Sequence, residues 1–186
     1  AYGYSALFLN TTGSSNTAIG NSTMLSNTTG SSNVAIGSSA LVSNSTGSFN
    51  VANGIGALLN NTTGFSNVAT GINALRNNQT GNNLVAIGDS AMLNQNGGNG
   101  FNTAVGSKAL FANFTGQENT ATGYNALLNN TGNFNAAFGT NALVNNTTGI
   151  SNVVIGTNAI IANTTGANNT AIGVNALNIN ATGSNN

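Results

Sequence analysis

The stretch Gly139-Thr-Asn-Ala-Leu-Val-Asn-Asn-Thr-Thr-Gly-Ile-Ser-Asn-Val-Val-Ile155 is one copy of a 17-residue repeat that runs through all 186 residues of the chain. We number the positions of the repeat from 1 to 17, starting at its first glycine. Position 1 and position 11 are glycine in every copy, and together they account for 22 of the 25 glycines. Such strict spacing predicts that each copy stacks on the copy before it.

The two glycine columns also show how the chain keeps its register. Position 1 is occupied by Gly3, Gly20, Gly37, Gly54, Gly71, Gly88, Gly106, Gly123, Gly139, Gly156 and Gly173. Position 11 is occupied by Gly13, Gly30, Gly47, Gly64, Gly81, Gly98, Gly116, Gly132, Gly149, Gly166 and Gly183. The spacing gains one residue between Gly88 and Gly106, loses one between Gly123 and Gly139, and recovers each time. This recovery indicates that equivalent positions of neighbouring copies lie against each other.

The period predicts an all-β solenoid, or β-roll, of about eleven 17-residue coils. A copy of this size cannot bury a core alone and must pack on its neighbours. Helical-hairpin repeats need more than about 30 residues and leucine-rich repeats at least about 20, so helices are not expected. We predict a strand at positions 14 to 17, as in residues 33–36, and a second extended segment at positions 4 to 7, as in residues 57–60. Residues 1–186 are expected to form a single continuous repeat domain.

A column of large apolar residues at position 5 is the predicted core. It contains Leu7, Met24, Leu41, Leu58, Leu75, Met92, Leu110, Leu127, Leu143, Ile160 and Leu177. Position 16 is Ala in every copy except at Val154, which is typical of a tight interior or a close-packed interface. Positions 15 and 17 mix Val and Ile with residues such as Asn53 and Thr70. Because side chains alternate along a strand, we expect these two positions to be half-exposed or to form a subunit contact.

The composition excludes several classes of function. The chain has four charged residues, Arg76, Asp89, Lys108 and Glu118, and it has no Cys, His, Trp or Pro. Nucleic acids and anionic membranes are not expected partners, because both require clustered Lys or Arg. No run reaches the about 18 apolar residues of a transmembrane helix, so membrane insertion is not expected. Without His, Cys or a carboxylate pair we predict no enzyme, no metal site and no cofactor.

Two columns of asparagine are the most distinctive feature of the repeat. Position 8 is occupied by Asn10, Asn27, Asn44, Asn61, Asn78, Asn113, Asn130, Asn146, Asn163 and Asn180, with Gln95 as the substitute. Position 14 is occupied by Asn16, Asn33, Asn50, Asn67, Asn102, Asn119, Asn135, Asn152, Asn169 and Asn186, with Leu84 as the exception. We predict that these amides form ladders, each donating a hydrogen bond to one neighbouring coil and accepting one from the other.

N-glycosylation is the alternative role for these asparagines. Most asparagines of position 8 begin an Asn-x-Thr sequon, the acceptor of N-linked glycans. The two roles exclude each other within one column, because an amide in a ladder is used by its neighbours. Asn130 has no sequon, which favours the ladder, whereas Asn21, Asn60 and Asn168 begin sequons outside the two columns. Glycans are therefore possible partners of these outer loops.

A column of threonines precedes the second glycine of the repeat. It contains Thr12, Thr29, Thr46, Thr63, Thr80, Thr115, Thr148, Thr165 and Thr182 at position 10. Regular arrays of Thr on a flat solenoid face resemble the ice-binding faces of some antifreeze proteins. A hydroxyl beside a turn glycine can instead cap the backbone, which is the favoured role here.

Short pieces of the repeat resemble a known family of surface proteins. The pieces are Asn16-Thr-Ala-Ile-Gly20, Asn33-Val-Ala-Ile-Gly37 and Asn169-Thr-Ala-Ile-Gly173. They resemble the Asn-Ser-Val-Ala-Ile-Gly motif of YadA-type head repeats in trimeric autotransporter adhesins, whose head repeat is shorter. The longer phrase with Ala-Leu and Asn-Thr-Thr-Gly is similar to repeats of bacterial and phage proteins described as tail-fibre-like. The resemblance implies a left-handed β-roll that forms trimers outside the cell and binds host matrix.

The sequence predicts a structural filament at the cell surface or in the extracellular space. Neither terminal copy contains a charged or proline-rich cap, so we expect the end coils to stack on another chain or on further repeats. The predicted partner is the chain itself, in a head-to-tail filament or a lateral trimer. Two alternatives remain: a trimeric adhesin or phage tail-fibre domain that binds a receptor, and an ice-binding solenoid.

Overall fold

The computed structural model describes residues 1–97 and 100–186, and Gly98 of the position-11 column lies outside them. The described residues form ten three-residue strands and no helix. The strands are β1 (Thr17–Ile19), β2 (Val34–Ile36), β3 (Val51–Asn53), β4 (Val68–Thr70), β5 (Val85–Ile87), β6 (Thr103–Val105), β7 (Thr120–Thr122), β8 (Ala136–Phe138), β9 (Val153–Ile155) and β10 (Thr170–Ile172). All ten pair in one parallel sheet in chain order, which confirms the predicted all-β solenoid. This part of the chain also contains no apolar helix long enough to cross a bilayer.

Strand pairing joins equivalent positions of neighbouring repeats. Ala35 of β2, for example, pairs with Ala52 of β3. The register survives both irregular spacings, because Val85 pairs with Thr103 across the longer copy and Thr120 with Ala136 across the shorter one. Between β1 and β10 the described residues complete nine coils, with partial coils at both ends, where the glycine count predicts eleven.

The strand occupies positions 15 to 17, one residue shorter than predicted. Its middle residue faces the interior and its outer two face solvent. In β2, Ala35 is fully buried while Val34 and Ile36 are exposed, and the same alternation holds in β9, where Val154 is buried. Position 16 is therefore a tight interior column.

The prediction of a second extended segment at positions 4 to 7 is wrong, because these residues form a turn. In the copy that starts at Gly54, residues 55–60 have turn conformation. The N–H of Ala57 donates to the carbonyl of Gly54 at 3.2 Å, and the N–H of Asn61 donates to the carbonyl of Leu58 at 3.1 Å. Two such bonds across three residues bend the chain tightly and leave no extended backbone between them.

The core column at position 5 combines full burial with an unfavourable backbone conformation. Its residues all have left-handed φ values, from 46° at Ile160 to 55° at Leu143. A residue with a Cβ loses roughly 1–2 kcal/mol in this conformation. Full burial of a Leu or Met side chain contributes roughly 1.5–3 kcal/mol. Leu58 and the other interior members of the column are fully buried, so burial offsets the backbone strain.

Hydrogen bonds between coils continue through the turns. The N–H of Met24 donates to the carbonyl of Ala40 at 2.9 Å, toward the next coil. In the opposite direction, the N–H of Ser39 donates to the carbonyl of Asn21 at 2.9 Å. Neighbouring coils are thus bonded along both the strand and the turn that carries the core column.

The glycine columns are required by the close approach of neighbouring coils. Gly54 at position 1 has a φ of 146°, and a Cβ at this residue would collide with the carbonyl of Gly71 in the next coil. Gly47 at position 11 is equally confined, because a Cβ would collide with the side-chain oxygen of Asn44 and the carbonyl of Gly64. The other turn glycines predicted from the sequence, Gly20, Gly37 and Gly30, have equivalent neighbours.

Candidate functional site

The asparagines of position 8 form a hydrogen-bonded ladder inside the solenoid, as predicted. Nδ2 of Asn44 donates to Oδ1 of Asn27 at 2.7 Å, and Nδ2 of Asn61 donates to Oδ1 of Asn44 at 2.8 Å. The same bond joins Asn27 to Asn10, Asn78 to Asn61, Asn146 to Asn130 and Asn163 to Asn146. The ladder therefore runs along the axis at right angles to the coils.

Each ladder amide also holds the turn of its own coil. Nδ2 of Asn44 donates its second hydrogen bond to the carbonyl of Gly47 at 2.9 Å, and Asn61 binds Gly64 in the same way at 3.0 Å. Both N–H groups of the amide are thus used, and the side chains are fully buried. A buried amide is destabilising unless its donors and acceptors are bonded, and Asn44 and Asn61 meet that condition.

The asparagines of position 14 link neighbouring coils through the backbone. Nδ2 of Asn33 donates to the carbonyl of Gly47 in the next coil at 2.9 Å, and Oδ1 of Asn33 accepts the N–H of Asn50 at 2.9 Å. Gly47 consequently accepts hydrogen bonds from both asparagine columns. At the exception, Leu84, the side chain is buried in the apolar core and only its N–H bonds to Oδ1 of Asn67, at 3.1 Å.

The ladders change where the spacing of the repeat changes. Gln95, in the copy with the extra residue, reaches two amides: Oε1 accepts from Asn113 at 2.6 Å and from Asn102 at 3.3 Å. Oδ1 of Asn113, next to the copy that lacks one residue, and Oδ1 of Asn163, in a regular copy, are buried without a hydrogen-bond partner. The position-8 ladder is therefore continuous from Asn10 to Asn78 and from Asn130 to Asn163, and it is interrupted between these two segments and before Asn180.

The structure separates the sequons into two groups. At Asn27, Asn44 and Asn61 the amide nitrogen is fully buried and donates two hydrogen bonds, so a glycan on it is incompatible with the folded coil. Outside the ladders, Asn21 and Asn168 begin sequons with exposed side chains. The sequon at Asn60 is half-buried, and its amide donates to Asn77 at 3.2 Å.

The threonines of position 10 lie on the surface of a turn and not on a strand. Thr29 and Thr46 are exposed within bends. The hydroxyls that bond carbonyls of the next coil belong to position 9, where Oγ1 of Thr28 donates to the carbonyl of Ser45 at 2.9 Å. The capping role predicted for position 10 thus belongs to its neighbour. The column is also interrupted, because Gly97 follows Asn96 in place of a threonine.

An uncharged surface, which we call the strand face, runs along the outside of the sheet. It consists of positions 15 and 17 of β1 to β10 and is exposed or partly exposed along its whole length. Its residues are Thr17, Val34, Val51, Val68, Val85, Thr103, Thr120, Ala136, Val153, Thr170, Ile19, Ile36, Asn53, Thr70, Ile87, Val105, Thr122, Phe138, Ile155 and Ile172. With strands about 4.8 Å apart, the strand face is roughly 45 Å long.

A second apolar column was missed by the sequence analysis. Position 6, next to the core column, is half-buried and mostly apolar in the interior coils. Its apolar members are Leu25, Val42, Leu59, Leu93, Phe111, Leu128, Val144 and Ile161. The signal was present in the sequence, but alternation along an extended segment would have placed this position on the opposite side from position 5.

Charged side chains are scattered over the surface. Arg76, Asp89, Lys108 and Glu118 are all exposed, and the two carboxylates lie in different coils. Among the described residues no three His, Cys, Asp or Glu side chains lie close enough together to hold a metal ion. The arrangement thus offers hydrogen bonding between coils and long, nearly neutral surfaces.

Comparisons with known proteins found no relative of this chain. Neither protein-family models, nor curated proteins, nor solved structures give a match to this chain. Function is therefore inferred from the interior ladders, the strand face and the equivalent contacts between coils.

Proposed function

We propose that this chain is a structural element of an extracellular filament, in which coils stack head-to-tail on further copies of the chain or on further repeats. The observation that carries the proposal is that every coil offers the same contacts to its neighbours. Leu58, Leu75 and Leu143 of the core column are each fully buried between the coils on either side. Because neighbouring coils contact each other through equivalent residues, a coil of one copy can stack on a coil of another copy in the same way.

Backbone hydrogen bonds support the same conclusion. The N–H of Leu143 donates to the carbonyl of Ala159 in the next coil at 3.0 Å, and the N–H of Leu58 donates to the carbonyl of Ala74 at 3.0 Å. Parallel backbone of this kind is a template for pairing with another chain. A second copy stacked in register would continue both the hydrogen bonds and the core columns.

An extracellular location suits the chemistry of the chain. Proteases cleave segments that open locally, and regions with many buried hydrogen bonds open least. Here strand, turn and buried amides all bond to neighbouring coils. The lack of Cys also makes the fold indifferent to the redox state of its surroundings.

The test is electron cryomicroscopy of the chain kept under non-denaturing conditions. Continuous fibres with a layer spacing of about 4.8 Å support end-to-end stacking, whereas discrete rods one chain long contradict it. Leu177→Lys places a charge in the core column, where a second copy would stack, and should abolish the fibres. Val174→Lys, on the outside of the same coil, is the matched control and should leave them intact.

The strand face favours a second candidate, a trimeric adhesin or phage tail-fibre domain. Its uncharged Val, Ile and Thr residues form a continuous surface of the kind that covers a lateral subunit contact. The resemblance of the repeats to YadA-type heads fits this candidate. Mass photometry and threefold cross-sections in micrographs would support it. Ile87→Lys, in the strand face, should then dissociate the trimer, whereas Thr140→Lys, on an outer turn, should not.

A further inference from the structure

Three exposed phenylalanines, which we call the phenylalanine row, lie at position 13 of the repeat. Phe49, Phe101 and Phe134 are 64%, 58% and 51% exposed. They belong to the third, sixth and eighth copies counted from Gly3. Because the coils stack in register, equivalent positions lie above one another, and the three residues belong to one column along the solenoid.

The backbone makes phenylalanine an unfavourable choice at this position. The φ angles of Phe49, Phe101 and Phe134 are 60°, 41° and 60°, in the left-handed region where bulky residues are uncommon. The turn imposes this conformation, since Ser66, Asn83 and Glu118 at the same position have φ values of 56°, 57° and 54°. The other copies meet it with polar residues, whereas these three copies carry bulky apolar rings. In the core column burial offsets the strain, but the rings of the row gain no such burial, so the choice of phenylalanine points to a ligand outside the chain.

We propose that the phenylalanine row binds an extended, neutral polysaccharide of β-1,4-linked pyranose units. Coils are about 4.8 Å apart, close to the length of one pyranose unit in such a polymer. Phe101 and Phe134 are two coils apart, and Phe49 and Phe101 are three coils apart. If one sugar unit spans one coil, two or three whole units separate neighbouring rings, so each ring can contact a sugar. The negative face of an aromatic ring attracts the C–H bonds on the flat side of a pyranose.

Side chains between the rings provide the hydrogen bonds that a sugar requires. Ser66 and Asn83 lie between Phe49 and Phe101 at the same position of the repeat, and Glu118 lies between Phe101 and Phe134. Amides, hydroxyls and a carboxylate bond the hydroxyl groups of sugars. The negative charge of Glu118 repels sulfated or uronic-acid polymers, which favours a neutral ligand. The polar residues between the rings also disfavour a protein partner, because the core of a protein interface is depleted in charged residues.

The test is retention of the intact chain on two insoluble β-1,4-linked polymers, cellulose and chitin, with α-linked amylose as the helical comparison. We expect retention on cellulose, chitin or both, and none on amylose. Cellulose alone would identify a glucan ligand and chitin alone an N-acetylglucosamine polymer. Retention should change little with salt, because the ligand is neutral.

Variants then locate the binding surface. The triple variant F49S/F101S/F134S carries the residue found at position 13 in other copies, so it should fold, and its thermal unfolding checks this. It should lower the retained fraction by about tenfold or more, since three stacking contacts are lost. Tyr124→Thr is the control. It removes an aromatic ring of 50% exposure at position 2, in the other turn of the coil, and replaces it with the residue that the next copy has there, Thr140. This variant should bind as the wild type does.

Three results would overturn the proposal. The first is that the chain is retained on neither β-1,4-linked polymer. The second is that the triple variant is retained as well as the wild type. The third is that the triple variant no longer self-associates while its retention is unchanged. The last result would make the phenylalanine row a contact between copies of the chain.

Discussion

Nδ2 of Asn44 lies 2.7 Å from Oδ1 of Asn27 in the preceding coil, and both side chains are fully buried. Each amide is a donor toward one neighbouring coil and an acceptor from the other. A buried polar group that loses its partner costs about 1–3 kcal/mol, so a coil stacked in the wrong register would be penalised at every step. The ladder therefore contributes to the choice of register as well as to stability.

Replacing Asn44 by Asp should destabilise the chain by about 3–5 kcal/mol, because a carboxylate loses both donated bonds and buries an unpaired charge. Acidic pH should recover part of the loss, since the protonated group can again donate to Asn27. Urea unfolding followed by circular dichroism measures the change. Asn168→Asp, at an exposed asparagine, should change stability by less than about 0.5 kcal/mol. Equal losses in the two variants would contradict the role of the ladder.

Gly54→Ala should lower the unfolding temperature, because the added Cβ meets the carbonyl of Gly71 and the backbone has a φ of 146°. Backbone strain of this kind costs about 1–3 kcal/mol before the collision is counted. Gly56→Ser is the control, because the equivalent residue of the preceding coil is Ser39, with a similar φ, and the added Cβ comes close only to the end of the Asn73 side chain, which can move. The control should differ little from the wild type in a thermal scan. A larger loss for Gly56→Ser than for Gly54→Ala would show that the contact between the position-1 glycines is not limiting.

Leu58→Ala should cost about 2–5 kcal/mol, because it opens a cavity in the core column. The neighbouring change, Leu59→Ala, removes the same atoms from a half-buried side chain and should cost roughly half as much or less. Denaturant unfolding of the two variants compares positions 5 and 6 directly. The reverse order of stability would mean that position 6 holds the core.

Expression in a secretory host that attaches N-linked glycans should distinguish the two groups of sequons. The folded, secreted chain should carry glycans at Asn21 or Asn168 and none at Asn27 or Asn44, because only the first two side chains are exposed. Peptide mass spectrometry with and without enzymatic removal of the glycans measures occupancy. A folded product modified at Asn44 would contradict the buried ladder.

Stacking could be predicted because the sequence constrains it in every copy. Asn44 and Ala35 belong to columns that accept almost no substitute, and only equivalent contacts in each coil explain such columns. The register of β2 and the ladder bond between Asn44 and Asn27 follow from this repetition. The period alone is enough to predict which residues of neighbouring coils lie against each other.

The shape of the turn could not be predicted in the same way. The sequence Ala57-Leu58-Leu59 suggests an extended segment, because large apolar residues rarely adopt left-handed backbone conformations. In the structure, burial of Leu58 outweighs that preference, and Leu59 falls on the surface beside it. Local patterns do not show such compensation, since it depends on the coils above and below. The column of asparagines likewise does not show which amide oxygens, here those of Asn113 and Asn163, are buried without a hydrogen-bond partner.

The position-8 ladder also has an electrical consequence. From Asn27 to Asn78 every side-chain amide donates toward the coil with the lower residue numbers, so the amide dipoles point the same way and polarise one another. The segment from Asn10 to Asn78 therefore has a donor end and an acceptor end, so the solenoid is polar along its axis although the chain has a formal net charge of zero. In the proposed filament all copies would have to face in one direction, because two like ends would set acceptor against acceptor or donor against donor.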